Sequence, residues 1–344
     1  MAKILIEAHH PAHIHFWKNP IRLLQARGNE VLVIGRDRDV MRRLLEVYNW
    51  IPHMIPTRRS RRNRFPLREM LGRQYAVAKA IRRFRPDVVA SLMGSYTQGA
   101  KLLGIRNVVF TDSEFQHFNH RIAHPFADEI YTPECFYKEL GPKQNRYHGI
   151  HELSFLHPEV FTPDRAVFER YGRLQSQPYI VIRLSAWNTL HDLDHRGIGD
   201  RIYEFVERFK EDYQVVISAE EGKCPPGLEA HVLDFRPEDF HQILAHARFV
   251  LSEGASTASE AACLGVPCVY INSTQRRGYL DMLETRYGLV QSFVSAAEGM
   301  PWAATKLLEV SEEMEQRRDE LRKQIGVDFP CTARLVADIL LKSS

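Results

Sequence analysis

The sequence predicts an α/β protein: two doubly wound, Rossmann-like domains whose parallel sheets face a central cleft. Three observations lead there. Strand and helix signals alternate through both halves of the chain, the pattern of βα units that builds parallel sheets covered on both faces. Glycine and proline cluster between Gly141 and Pro163 with irregular polar spacing, which reads as a linker. The length of 344 residues, 44% of them hydrophobic, suits two cores better than one. Domains of 1–145 and 146–330 follow, with a closing helix over 331–344 that packs back toward the first domain.

The elements follow in order. Lys3–Glu7 is an apolar run and reads as the first strand. Phe16–Arg27 has helical spacing and is closed by Gly28. Glu30–Gly35 is a strand, Asp39–Tyr48 a helix and Ile51–Ile55 a short strand. Beyond an arginine-rich loop come a helix at Leu67–Phe84, a strand at Asp87–Leu92 and a helix at Tyr96–Leu103. Asn107–Phe110 and Glu129–Thr132 are strands on either side of a short helix at Asn119–Phe126. The second half repeats the pattern, with strands at Tyr179–Leu184, Gln214–Ser218, Ala230–Leu233 and Phe249–Leu251. Its helices fall at Ile198–Lys210, Glu238–Ala247, Leu280–Tyr287 and Pro301–Gln324, and Thr332–Leu341 closes the chain as a helix.

Composition excludes several classes. The net charge of +3 is no global polyanion-binding signature. No apolar run approaches the ~20 residues of a membrane span. The N-terminus enters a strand without a signal-peptide core, so a cytoplasmic location is expected. The five cysteines, at 135, 224, 263, 268 and 331, show neither metal spacing nor a disulfide framework. Charge is nevertheless uneven: Arg58, Arg59, Arg61, Arg62 and Arg64 fall within seven residues. Such a run suits a solvated loop, an anionic surface at the inner membrane face, or a phosphorylated or lipid-linked acceptor. Nucleic acid is disfavoured, because no aromatic residues interleave the run.

The most informative segment is Leu251-Ser-Glu-Gly-Ala-Ser-Thr-Ala-Ser-Glu-Ala-Ala-Cys-Leu-Gly-Val-Pro-Cys-Val-Tyr-Ile271. A buried strand ends at Leu251, Gly254 turns the chain, and a helix begins near Ser256, Thr257 and Ser259. Gly265 and Pro267 stop that helix before a strand at Cys268–Ile271. A strand, a small-residue turn and a helix N-terminus form an anion site, with about half an elementary charge from the helix dipole. Glu260, one turn in, is placed to accept ribose hydroxyls.

This segment resembles the donor-nucleotide motif of GT-B-fold glycosyltransferases and of the non-hydrolysing UDP-N-acetylglucosamine 2-epimerases. The chain is identified as a member of an uncharacterised GT-B-like family related to both. The resemblance implies that Gly254, Ser256 and Thr257 hold a diphosphate and Glu260 a ribose. Tyr147-His-Gly-Ile-His-Glu152 resembles the interdomain crossover of the same superfamily.

Residues just past the strands carry the remaining chemistry, because ligands of open α/β sheets bind beyond the strands' carboxyl ends. After the first strand, His9, His10, His13 and His15 crowd one loop. Metal ligation lacks an ordered spacing, and helix capping is one use for such residues. By resemblance to inverting GT-B enzymes, His10 or His13 is a general base. After the fifth strand stand Asp112 and Glu114, carboxylates that could orient this base, in a segment resembling the epimerases. There Asn119, Arg121 and Ala127-Asp128 fill the epimerase pattern, with His120 interrupting it.

Two departures separate the chain from the epimerases. Met93-Gly94-Ser95 stands where they carry a catalytic Asp, and Arg183-Leu-Ser-Ala-Trp-Asn188 where they carry His-Arg-Arg-Glu-Asn. Arg183 and Ser185 remain as phosphate donors, and Arg276 with Arg277 are either a second phosphate clamp or surface charges. The expectation is a metal-independent, cofactor-free glycosyltransferase that takes a uridine-linked nucleotide-sugar as co-substrate in glycan or polysaccharide biosynthesis. A UDP-sugar 2-epimerase and a non-catalytic sugar-nucleotide-binding protein are the alternatives.

Overall fold

A computed structural model describes the chain except residues 9, 37–38, 51–52, 56–65, 95, 186–196, 221–223, 275, 311 and 343–344, and except the side chains of 36, 39, 53–55, 66–71, 73 and 312–316. The arginine run Arg58–Arg64 lies outside the described residues, as do Ser95, Trp187 and Asn188. The described residues form two compact units, Met1–Val160 with Phe329–Ser344, and Phe161–Asp328.

The first unit is built on β1 (Lys3–Ala8), β2 (Glu30–Arg36), β3 (His53–Ile55), β4 (Val88–Ser91), β5 (Arg106–Phe110), β6 (Glu129–Pro133) and β7 (Gln144–Tyr147). All pairings are parallel and the order is β3-β2-β1-β4-β5-β6-β7. The order reverses between β1 and β4, the switch point of a doubly wound sheet. Its helices are α1 (Pro11–Ala26), α2 (Asp39–Val47), α3 (Pro66–Phe84), α4 (Thr97–Leu102) and α5 (His117–Ile122). The central strand explains the two-sided cover. Ile4 and Ile6 join Trp17, Ile21 and Leu24 of α1 on one face, and Leu5 joins Val77, Ile81 and Tyr96 on the other. All three strand residues are fully buried, so β1 reads as one apolar run rather than as an alternation.

The terminal helix, numbered α12 below (Thr332–Leu341), completes this unit. Val336, Ala337, Ile339 and Leu340 belong to the same apolar cluster as Ile4 and Trp17. Arg106 at the start of β5 donates to the carbonyls of Ile339 (3.0 Å) and Lys342 (3.0 Å) while pairing with Glu129 (2.7 Å). A cation thus sits at the helix C-terminus, where the dipole favours it.

The second unit carries β8 (Tyr179–Leu184), β9 (Gln214–Ala219), β10 (Phe249–Ser252), β11 (Cys268–Ile271) and β12 (Val290–Phe293), parallel in the order β12-β11-β10-β8-β9. Its helices are α6 (Arg201–Phe209), α7 (Phe240–Ala245), α8 (Ala255–Cys263), α9 (Gly278–Tyr287), α10 (Ala296–Glu309) and α11 (Glu312–Asp328). Here the order reverses between β8 and β10. The alternating βα architecture and the two parallel sheets agree with the sequence expectation.

Several details differ from it. The stretch from Gly141 to Pro163, expected as a linker, holds the edge strand β7 and lies in the first unit as far as Val160. Ala230–Leu233 is not a strand: Glu229–His231 is a 3-10 turn, and Val232 makes an isolated bridge to Ile217. The single helix expected over Pro301–Gln324 is two, broken around Val310. α1 starts at Pro11, not Phe16, because His10 caps it and Pro11 supplies its first turn.

Gly265 shows how closely the second unit is packed. It follows α8 at φ +75°, and a Cβ there would meet the backbone oxygen of Arg318 in α11 at 2.5 Å. The guanidinium of Arg318 in turn donates to the carbonyls of Ala245 (3.0 Å) and Ala247 (2.8 Å). Gly265→Ala combines a left-handed backbone with a clash against main chain. The expected loss is about 2–4 kcal/mol of unfolding free energy, read by urea denaturation. A loss below about 1 kcal/mol would mean that α11 moves aside freely.

Candidate functional site

At the switch point of the second sheet, β8 and β10 end side by side. Glu253, the first residue past β10, is 4% exposed, and its two carboxylate oxygens accept the backbone N–H of Ser185 (2.8 Å) and of Ile198 (2.7 Å). Its own N–H donates to the carbonyl of Arg183 (2.9 Å), and its carbonyl accepts from the Asn272 amide (2.8 Å). A buried carboxylate with two backbone donors is well compensated. Glu253 therefore fixes the strand ends from which the site residues project. The sequence reading passed over it; the signal was an acid wedged between an apolar strand and a glycine.

Gly254 stands at the N-cap of α8 with φ −94° and ψ 122°, a conformation open to any residue. The sharp turn expected of glycine is made by Ser252, whose hydroxyl accepts from Gly254 N–H (3.0 Å) and donates to Gly254 carbonyl (2.8 Å). The N-cap residue of α8 is a glycine and supplies no side-chain cap, which leaves the helix's first amides without one from their own N-cap residue. Ser256 is exposed and Thr257 buried. Glu260, one turn on, is 6% exposed, with one carboxylate oxygen 3.3 Å from His241 Nε2.

The expected arginines have partners of their own. Arg183 donates to the Ser218 hydroxyl (2.7 Å) and to Glu220 (3.0 Å), and lies over the Phe240 ring. Ser185 contributes its backbone to Glu253. Arg276 is exposed and paired with Asp281 (2.7 Å) at the start of α9, and Arg277 donates to the Tyr270 hydroxyl (2.9 Å).

In the first unit His13 and His15 belong to α1 rather than to a loop, His10 precedes the helix, and His9 lies outside the described residues. His10 is exposed, and its Nδ1 accepts from the Ala12 N–H at 3.3 Å as the N-cap of α1. His13, in the first turn, is 7% exposed, and the two rings lie 6.0 Å apart. Beyond β5, Asp112 meets a histidine that the sequence reading did not single out. His151 Nδ1 is 3.1 Å from its carboxylate. Glu114, 2% exposed, accepts weakly from the Tyr137 N–H at 3.4 Å. Burial pushes the Cys135 thiol up to about 12, and the nearby carboxylates of Glu114, Glu152 and Asp112 add to the shift. Burial likewise holds the Tyr147 phenol well above its usual range, with Asp112, Cys135 and Glu152 contributing. Among the described residues no group of three His, Cys, Asp or Glu side chains is arranged to hold a metal ion.

The α5 segment carries a second histidine contact. His124 Nδ1 lies 3.1 Å from His120 Nδ1, and burial, then the neighbouring imidazole, depresses the His124 pKa to about 4. The unfolded chain therefore binds this proton first. The folded state loses stability as pH falls below about 6.5, by up to about 3 kcal/mol near pH 4. Replacing His124 by Gln is expected to flatten the pH dependence of urea unfolding between pH 7 and 4.5; equal slopes for the two proteins would refute the assignment.

The chain is similar to the UDP-GlcNAc 2-epimerase of Neisseria meningitidis solved with bound UDP-GlcNAc, with a TM-score of 0.68 at 14% identity over 99% of this chain and 100% of the other. It is also similar to the SsfS6 glycosyltransferase of Streptomyces sp. SF2575, with a TM-score of 0.59 at 16% identity over 98% and 99% of the two chains. At such identities the likeness shows the fold. An uncharacterized protein of Methanocaldococcus jannaschii is 22% identical over 280 residues, 77% of this chain and 80% of that protein. Residues 2–283 match a family described as a protein of unknown function, DUF354, and the chain belongs to that family.

Proposed function

We propose that the protein is a nucleotide-sugar-dependent enzyme that transfers a glycosyl group from a uridine-linked donor. The observation that carries this reading is the N-terminus of α8 at the second sheet's switch point. Its N-cap residue, Gly254, offers the amides no side-chain cap, Ser256 is exposed beside them, and Glu260 lies one turn further on. Uncapped amides and the positive end of a helix dipole suit a diphosphate. A carboxylate one turn along suits two ribose hydroxyls. Solved proteins of the same fold contain UDP-GlcNAc, which supports a donor of that class.

The chemistry asked of the protein is modest: orient the acceptor, take its proton, and stabilise the departing diphosphate. No metal is required in this reading, since the helix terminus and nearby arginines can offset the diphosphate charge. A second reading, epimerisation at the sugar, is favoured by the two carboxylates Asp112 and Glu114 beyond β5, because inversion at a carbon needs acid and base groups around it. Donor incubated alone separates the two: an epimerase changes the sugar without an acceptor, and a transferase does not. For the acceptor, the run Arg58, Arg59, Arg61, Arg62 and Arg64 supports an anionic lipid-linked molecule at a membrane surface.

Calorimetry with UDP and UDP-GlcNAc tests the donor site. Glu260→Gln is expected to weaken UDP-GlcNAc binding by roughly 1.5–3 kcal/mol, with thermal unfolding measured alongside because His241 also contacts Glu260. Unchanged affinity in a folded variant would remove Glu260 from the site. Turnover is expected to survive EDTA, and complete loss restored by Mg²⁺ or Mn²⁺ would overturn metal independence.

A further inference from the structure

A helix on the surface of an α/β protein normally turns its apolar side inward. α5 does the opposite. Phe118 and Ile122 are 61% and 40% exposed, and Phe126, which ends the 3-10 turn His124–Phe126, is 44% exposed. These three residues recur every four positions, with Pro125 exposed beside them. No residue of α5 itself is buried. The inward side of the segment is polar or small: Asn119 and His120 are half-buried, and Ala123 and His124 are buried. Hydrogen bonds tie that side down. The Thr97 hydroxyl donates to the Ala123 carbonyl (2.6 Å), and the Gln98 amide donates to the Ile122 carbonyl (2.7 Å). His120 Nε2 lies 3.2 Å from the Ser113 carbonyl. Single exposed apolar residues are ordinary, but a row of them on an element whose polar side faces the protein fits a surface that meets something other than water.

The charge around the row identifies the chemistry of what it meets. His117 and Arg121 are exposed on the same stretch. Lys138 Nζ lies 3.1 Å from His117 Nδ1, and Lys143 Nζ donates to the carbonyls of Pro125 (2.7 Å) and Ala127 (2.7 Å). Residues 115–127 contain no Asp or Glu, and Asp128, the next residue, pairs with Lys101. An exposed apolar row with a basic border matches the boundary between the acyl chains and the headgroups of an anionic bilayer. A second copy of the chain fits less well, because a symmetric contact through this row would bring the same basic border onto itself.

We propose that the outer side of α5 is a membrane-contact surface that seats Phe118, Ile122 and Phe126 at the headgroup boundary of an anionic bilayer. Its purpose rests on the reading of a lipid-linked acceptor, since it names the part of the first unit that meets the bilayer holding such a molecule. Its test uses neither donor nor turnover, so either claim can fail without the other. Three apolar side chains and a few cations give a shallow, reversible hold rather than an anchor.

The full-length chain is sedimented with vesicles of phosphatidylcholine alone and of phosphatidylcholine mixed with phosphatidylglycerol. Wild type is expected to bind the mixed vesicles and not the neutral ones. Phe118→Ser, Ile122→Ser and Phe126→Ser combined are expected to weaken that binding by about tenfold or more. The thermal unfolding midpoint should stay unchanged, because all three side chains are exposed. Phe118→Trp keeps the row apolar and reports its position. Its added fluorescence, above that of the four native tryptophans, is expected to shift to the blue on mixed vesicles and to be quenched by brominated lipid. A wild type that ignores mixed vesicles at low salt, where screening is weakest, would overturn the proposal. So would a triple variant that binds as wild type does, or Phe118→Trp emission that stays unchanged in vesicle-bound protein. A wild-type dimer that the triple variant converts to a monomer would overturn it in favour of a second copy.

Discussion

The carboxylate of Glu253 is the contact on which the rest of the second unit's candidate site depends. A parallel sheet delivers its strands' carboxyl ends to one edge, but it does not by itself fix where the chain goes next. By taking the N–H groups of Ser185 and Ile198, one buried side chain at the exit of β10 ties it to the exit of β8 and to the chain just before α6. Gly254, the start of α8 and the approach of Asn272 all follow from that anchor. The anion costs little to bury because both of its oxygens are bonded to amide hydrogens.

Much of this was legible in the sequence, and the reasons for success and failure are physical. Strands covered on both faces declare themselves as apolar runs, so β1, β8 and β10 were found close to their observed limits. The strands missed were β7 and β12, both at sheet edges. Gln144-Asn-Arg-Tyr147 and Val290-Gln-Ser-Phe293 pair on one side only and carry polar residues, exposed in the first and half-buried in the second, which erases the apolar run. Ala230–Leu233 failed in the opposite way: it contains apolar residues but gains only one bridge to β9.

The site was legible by residue type more than by pairing. The α8 motif, Asp112 and Glu114 stood out because carboxylates and hydroxyls at strand ends are uncommon without a use. Their partners are distant in sequence. Asp112 meets His151 across 39 positions (151 − 112), and Glu260 meets His241 from a different helix. Periodicity along a chain carries no information about such pairs; only the sheet order brings them together. Gly254 illustrates a further limit. Its place in the motif suggested backbone freedom, yet its dihedral angles are ordinary, and the turn is set by the Ser252 hydroxyl.

The path of the chain through α12 has a consequence for biosynthesis. The second unit is one continuous segment, Phe161–Asp328, whereas the first is interrupted by it and completed only by Phe329–Ser344. During synthesis the leading 160 residues emerge with the apolar surface meant for Val336, Ala337, Ile339 and Leu340 still uncovered. The unit made second has all its strands available before the unit made first can close. Domains that fold as units normally do so in the order of synthesis. Here the order of completion is reversed, and a nascent chain carries an unfinished core until residues 329–344 leave the ribosome.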